Sequence, residues 1–190
     1  MNYINDIKKY LEKEIDVIKS LDIAVIERIM YLITASKENG NSIFICGNGG
    51  SAATASHYCC DFNKGVSGLD SKNTNFICLS DNIPTMMAIA NDISYDEIFS
   101  YQLKNRLKDG DIVFVISGSG NSKNIVRAME VAKAKGNKII GLCGYRGGKV
   151  KEMADVCLHV DIDNMQITED IHMILNHCMM FILAGYNLDY

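Results

Sequence analysis

The sequence predicts an α/β fold: a five-stranded parallel sheet, doubly wound in the order 2-1-3-4-5, with two helices before it and a long helix after it. Three observations predict it. Short apolar runs recur at Ser42–Cys46, Asn75–Leu79, Asp111–Ile116, Lys138–Leu142 and Val156–Val160. These runs alternate with helix-forming stretches, the pattern of parallel strands covered on both faces. Two of the runs end directly in Gly/Ser-rich sequence that opens a helix.

The elements follow in order. Ile4, Ile7, Leu11, Ile15 and Ile18 recur at steps of three and four, which predicts an amphipathic helix. Ile26, Ile29, Met30 and Ile33 predict a second, stopping near Asn39-Gly40. Both precede any strand, so each needs a surface to cover, either the core or another subunit. The first strand leads into Gly47-Asn48-Gly49-Gly50-Ser51 and a helix from Ala52 to about Lys64. The third leads into Ser117-Gly118-Ser119-Gly120-Asn121-Ser122 and a helix to about Lys135. Gln166–Ala184 closes the chain as a long helix. Pro84 is the only proline and no linker interrupts the pattern, so residues 1–190 read as one domain: a helical hairpin over 1–40 suited to oligomer contacts, and an α/β core over 41–190.

Composition narrows the function classes. The formal net charge is −4 with both signs dispersed, which argues against a nucleic-acid-binding face or a polybasic membrane patch. The polar N-terminus has no apolar signal core, and no run approaches the roughly 20 residues of a spanning helix. The seven cysteines include no C-x-x-C pair. They read as reduced, mostly core-filling thiols, and the expected compartment is the cytoplasm. Met86-Met87 and Met179-Met180 read as core filler.

The two loops carry the first functional expectation. A strand that ends in glycines and opens a helix presents free backbone N–H groups and the positive end of the helix dipole to an anion. Serine hydroxyls add hydrogen bonds without adding charge. In the order 2-1-3-4-5 the first and third strands are neighbours at the switch point, where ligands bind. Both loops should therefore face one crevice and grip a phosphate. A dinucleotide fingerprint is the rival, because Gly47–Ala52 fits G-x-G-x-x-A. Asp81, however, lies beyond the usual spacing of about 20 residues, and the second loop has no role in that fold.

A polar cluster carries the second expectation. His57 and Asp61 share one helix face, and Glu169, His172 and His177 lie on the last helix. A histidine and a carboxylate on each of two helices make an oxygen/nitrogen site suited to zinc. The spacing of Glu169 and His177 corresponds to about 12 Å of helix rise, so spacing alone does not bring them to one ion. His172 reads as structural and His159 as a surface residue.

Gly47–Ala53, His57, Ala90-Asn91-Asp92 with Ile98-Phe99, and Ser119–Ser122 resemble the SIS (sugar isomerase) fold. Ile139–Leu142, Gly147–Lys149 and Ala154–Val156 fit as well. Within that fold the chain is similar to phosphoheptose isomerases, which interconvert sedoheptulose 7-phosphate and D-glycero-D-manno-heptose 7-phosphate. The resemblance implies that Asn48, Gly49, Gly50, Ser51, Ser117, Gly118, Ser119 and Ser122 hold the sugar phosphate. It implies that Asn91 and Asp92 contact the sugar. It also implies a homotetramer with active sites at subunit contacts, and zinc held at positions matching His57, Asp61, Glu169 and His177. The family pattern there is His, Glu, Gln and His, so this chain departs twice, with Asp61 for Glu and Glu169 for Gln.

Aldose–ketose isomerisation moves a proton between adjacent carbons through an enediol(ate). Asp61 or Glu169 on one side and His177 on the other are the expected acid–base groups. The alternative from another class is a non-catalytic tetramer of the same fold that binds the bacterial replication initiator protein. Retention of two histidines and two carboxylates favours the enzyme. A phosphosugar isomerase or sensor for another sugar also stays open, because the loops read phosphate rather than sugar.

Overall fold

The computed structural model describes residues 3–67 and 72–188. Helices α1 (Tyr3–Lys19) and α2 (Ile23–Asn39) precede β1 (Ile43–Gly47), α3 (Gly50–Asp61) and β2 (Phe76–Cys78). Helices α4 (Ile83–Asp92) and α5 (Ser100–Arg106) lead to β3 (Ile112–Ser117), α6 (Lys123–Ala134) and β4 (Lys138–Cys143). Then come α7 (Gly148–Met153), β5 (Val156–His159) and α8 (Met165–Leu183). The sheet is parallel throughout, in the order β2-β1-β3-β4-β5. Each expected strand is present within a residue or two of its expected ends.

The strands are apolar on both faces because both are covered. Ile43, Ile45, Phe114, Ile116, Ile140 and Leu142 pack under α2, α3 and α8. Their strand neighbours Phe44, Cys46, Val113, Val115, Ile139 and Cys143 point the other way, towards α5, α6 and α7. This is the two-residue alternation of a pleated strand with a core on each side.

Three helices are additions to the sequence reading: α4, α5 and α7. Asn82 caps α4 by accepting from the Thr85 N–H, and Pro84 stands in its first turn, where a missing N–H costs nothing. The helix after β1 runs longer than its α-helical part: Phe62–Val66 continue as a π turn, with the Ser67 N–H on the Phe62 carbonyl.

The N-terminal hairpin splits in its behaviour. Asp22 caps α2, and Gly40 ends it in the left-handed region at φ 69°. Ile26, Ile29 and Ile33 of α2 are buried against the sheet. Helix α1 buries Val17 and reaches α8 through Tyr10, whose hydroxyl donates to Asp170. Its apolar stripe faces outward, with Ile4 66 % and Leu11 50 % exposed. Other expectations need correction. Met87 is exposed because it points off the outer face of α4, whereas Met179 is core and Met86 and Met180 are partly buried. All seven cysteines are free, but Cys60 and Cys178 are exposed rather than core-filling. His159 is half-buried: its Nε2 meets the Tyr145 carbonyl at 2.7 Å, and its Nδ1 lies 3.1 Å from the Lys151 ammonium.

Candidate active site

The helices differ in how they begin. Helices α2, α4 and α8 carry side-chain caps from Asp22, Asn82 and Asn164. Helices α3, α5, α6 and α7 have no side-chain cap bond at their N-cap residues, and of these α3 and α6, starting after Gly49 and Ser122, follow the two Gly/Ser loops. A helix start without a cap leaves N–H groups for an external acceptor, and an anion is the favoured one. Gly49 sits at φ 52°, a conformation costly for any residue with a side chain, and so turns the loop back onto the helix start.

The two loops meet. Asn48, Ser51, Ser117, Gly118, Ser119 and Ser122 line one cleft of about 130 Å³, closed by Met165 and Glu169 of α8. A larger hollow of about 850 Å³ adjoins it at Ser119 and Met165. Two loop glycines lie against side chains of α8. A Cβ on Gly118 would come within 2.6 Å of the Met165 sulfur, and one on Gly50 within 2.6 Å of both carboxylate oxygens of Glu169. Glu169 therefore lies against the first turn of α3, at the positive end of that helix.

Asn48 is held by residues the sequence reading did not single out. Its amide exchanges hydrogen bonds with the amide of Asn124, at 2.9 and 2.8 Å, and the Tyr95 hydroxyl donates to its Oδ1 at 3.0 Å. Asn124 ties the first loop to α6. The signal was available in part, because Asn124 stands in the first turn of a helix that opens from a serine loop.

Towards the far end of the α3–α8 contact lies the second cluster. His57 Nε2 is 3.2 Å from Asp61 Oδ2 and 3.2 Å from His177 Nε2, and His177 Nε2 is 3.8 Å from the same carboxylate oxygen. Tetrahedral zinc with bonds of about 2.0–2.1 Å would set its donor atoms roughly 3.3 Å apart. Two imidazole nitrogens and one carboxylate oxygen at these spacings fit such an ion. Glu169, expected as a fourth ligand, is not in this group: His57, Asp61 and His177 form it among the described residues. The separation follows from the two helical turns between Glu169 and His177.

The helix pair that carries these groups is held from within. The Tyr58 hydroxyl of α3 donates to the His172 carbonyl of α8 at 3.3 Å, and the Tyr58 ring stacks on Phe62. His172 itself is fully buried, and desolvation pulls its imidazole down to about 4. It is therefore neutral at neutral pH. Asn176, one turn further along, is also fully buried and donates from Nδ2 to Asp61 Oδ2.

Asn91 and Asp92 end α4 as exposed residues, the Asn91 amide donating to the Asp92 carboxylate at 2.8 Å. Asp92 lines a separate shallow hollow beside Tyr101, so the described residues do not bring the expected sugar contacts into the loop cleft.

Residues 2–144 match the SIS domain family. The chain is 39 % identical to a probable phosphoheptose isomerase of Thermoplasma acidophilum over 172 residues, covering 90 % of this chain and 94 % of that one. It is 34 % identical to a phosphoheptose isomerase of Helicobacter pylori, covering 90 % and 87 %. Among solved structures, a phosphoheptose isomerase from Neisseria gonorrhoeae superimposes with a TM-score of 0.88 at 26 % identity, covering 97 % of this chain and all of that one.

Proposed function

The chain belongs to the SIS domain family, and within it to the phosphoheptose isomerases; on that premise, we propose that it interconverts sedoheptulose 7-phosphate and D-glycero-D-manno-heptose 7-phosphate. The observation that carries the reading is the pairing of an anion cleft with a histidine–carboxylate triad along one pair of helices.

The length of that pair bears on the sugar. From Gly50 to Asp61 along α3, or from Glu169 to His177 along α8, the rise is on the order of 12–17 Å. An extended chain advances roughly 1.2 Å per bond, so C2 of an open heptose 7-phosphate lies about 8 Å from phosphorus. A phosphate seated between the loops leaves C2 of an open heptose short of that full rise and C2 of a triose phosphate shorter still, so the seven-carbon chain comes nearer the triad.

Each group then has a task. The N–H groups of α3 and α6, with Ser51, Ser117, Ser119 and Ser122, bind the phosphate, and this remote binding positions the reacting end. Asp61 takes the proton from the carbon beside the carbonyl and leaves an enediol(ate), the hydroxyl proton passes from one sugar oxygen to the other, His177 gives a proton to the neighbouring carbon, and the proton held by Asp61 then restores His177. Glu169 lines the path between phosphate and triad. His57, Asp61 and His177 would hold a zinc ion, which supplies polarisation of the sugar oxygens and stabilises charge that builds on them. Elemental analysis of protein purified without chelator checks the metal, and finding no divalent ion would remove it.

The apolar stripe of α1 supports a homotetramer in which other copies cover Ile4, Ile7, Leu11 and Ile15. Light scattering on Ile7→Glu,Leu11→Glu should report a smaller assembly than the wild type. The activity test is direct: sedoheptulose 7-phosphate given to purified, zinc-supplied protein should yield an aldoheptose phosphate. No turnover, together with capture of the replication initiator protein, would instead favour the non-catalytic reading. A panel of C5 to C7 ketose phosphates tests the length argument, and equal turnover of the shorter sugars would overturn it.

A further inference from the structure

We propose that Asn176 is a positioning residue that aims Asp61 at the reacting end of the site; this rests on the reading of the triad given above. Consecutive residues of α8 approach one carboxylate oxygen from two sides. Asn176 comes from the core and donates to Asp61 Oδ2, while His177 comes from the solvent side with its Nε2 3.8 Å from that same oxygen. The oxygen that the buried amide holds is therefore the one that faces both imidazoles.

The surroundings of the amide argue against a merely structural role. Asn176 is fully buried on the face of α8 that carries Ile171, Leu175 and Met179. Its Oδ1 has no partner among the described residues. A buried polar atom left without a hydrogen bond destabilises the fold, and an apolar side chain of similar size would remove that penalty. Stability alone therefore disfavours asparagine here. What the amide supplies is direction. An aspartate side chain can turn about its terminal bond and present either oxygen. One fixed donor behind Oδ2 holds that oxygen towards His57 and His177 when nothing is bound.

Asn176→Leu tests the proposal, with Asn176→Ala in reserve if leucine prevents folding. Three quantities are measured: the urea midpoint, kcat and KM on sedoheptulose 7-phosphate, and the affinity of the metal-free protein for cobalt(II) with its visible absorption band. The urea midpoint should hold or rise. Loss of a group that orients a ligand or catalytic side chain should lower kcat and cobalt affinity by about tenfold to a hundredfold, with the band altered. KM should stay within about twofold, because the phosphate loops are untouched. Adding Asp61→Glu to Asn176→Leu should recover part of the cobalt affinity, since the longer side chain reaches the imidazoles without the amide. Unchanged kcat and cobalt affinity, or losses that merely follow a reduced folded fraction, would overturn the proposal. A wild type that binds cobalt but turns over no heptose phosphate sinks the isomerase reading alone. In that case weaker cobalt binding by Asn176→Leu still supports the positioning role, and unchanged binding ends it. A wild type that neither binds cobalt nor turns over substrate ends both.

Discussion

At one end of the α3–α8 contact the ligand-facing groups are backbone N–H groups and serine hydroxyls, set at the ends of strands buried on both faces. At the other they are imidazoles and a carboxylate on helix surfaces, with the His57 and His177 side chains 43 % and 55 % exposed. The loop end is shaped by close contacts. A Cβ on Gly120, at φ 66°, would overlap the Gly147 carbonyl, and Gly118 sits against Met165. The triad end depends on three side-chain rotamers and on what lies behind them. On the proposed function, backbone donors would read a phosphate and nothing else of the ligand, so the first end would set affinity. Positioned side chains would act on particular carbons, so the second end would set the reaction.

Substitutions should separate these roles. The largest effect is expected at the triad. His177→Ala should lower kcat by about 10²–10⁴-fold, the usual contribution of a positioned acid or base, with KM little changed. An equal loss in affinity instead would erase the distinction between the ends.

His172 lies between the ends and couples both to acid. Its imidazole titrates near 4 in the fold, because burial disfavours the charged form, against about 6.5 in the unfolded chain. As pH falls the unfolded chain takes up the proton first. The stability carried by neutral His172 is therefore complete above about pH 6.5 and is lost between there and about pH 4, by about 3 kcal/mol. Urea titrations at pH 7 and pH 4.5 should show this, and His172→Leu should flatten that part of the profile. An unaltered profile in the variant would show that another group dominates.

At the loop end, Ser119→Ala should raise KM about tenfold through loss of one hydrogen bond to a charged group, leaving kcat within about twofold. The smallest effect has the opposite sign. Glu169 places a carboxylate against the first turn of α3, where the phosphate is to bind. Glu169→Gln keeps the shape and removes the like charge, so KM should fall about threefold at low salt, and less at high salt. A rise in KM would mean that Glu169 assists phosphate binding or holds the metal, as the family pattern of the sequence implied.

The sequence by itself determined the strands and the two Gly/Ser loops, because those features are local. Apolar runs buried on both faces, loop glycines and helix starts are written within a few residues of one another, and the switch-point rule joins two loops into one site. It also placed His57, Asp61 and His177 on two helices. Only the tertiary structure decided which groups share a point. It brought Asp61 Oδ2 between two imidazoles and left Glu169 two turns away beside Gly50. It buried Asn176 behind the carboxylate and linked Asn124 and Tyr95 to Asn48. Helix α2 turned its apolar stripe inward while α1 turned its own outward, although the two read alike in sequence. The physical reason is the same throughout: periodicity states which face of a helix is apolar or polar, whereas the partner that face meets depends on how distant elements pack.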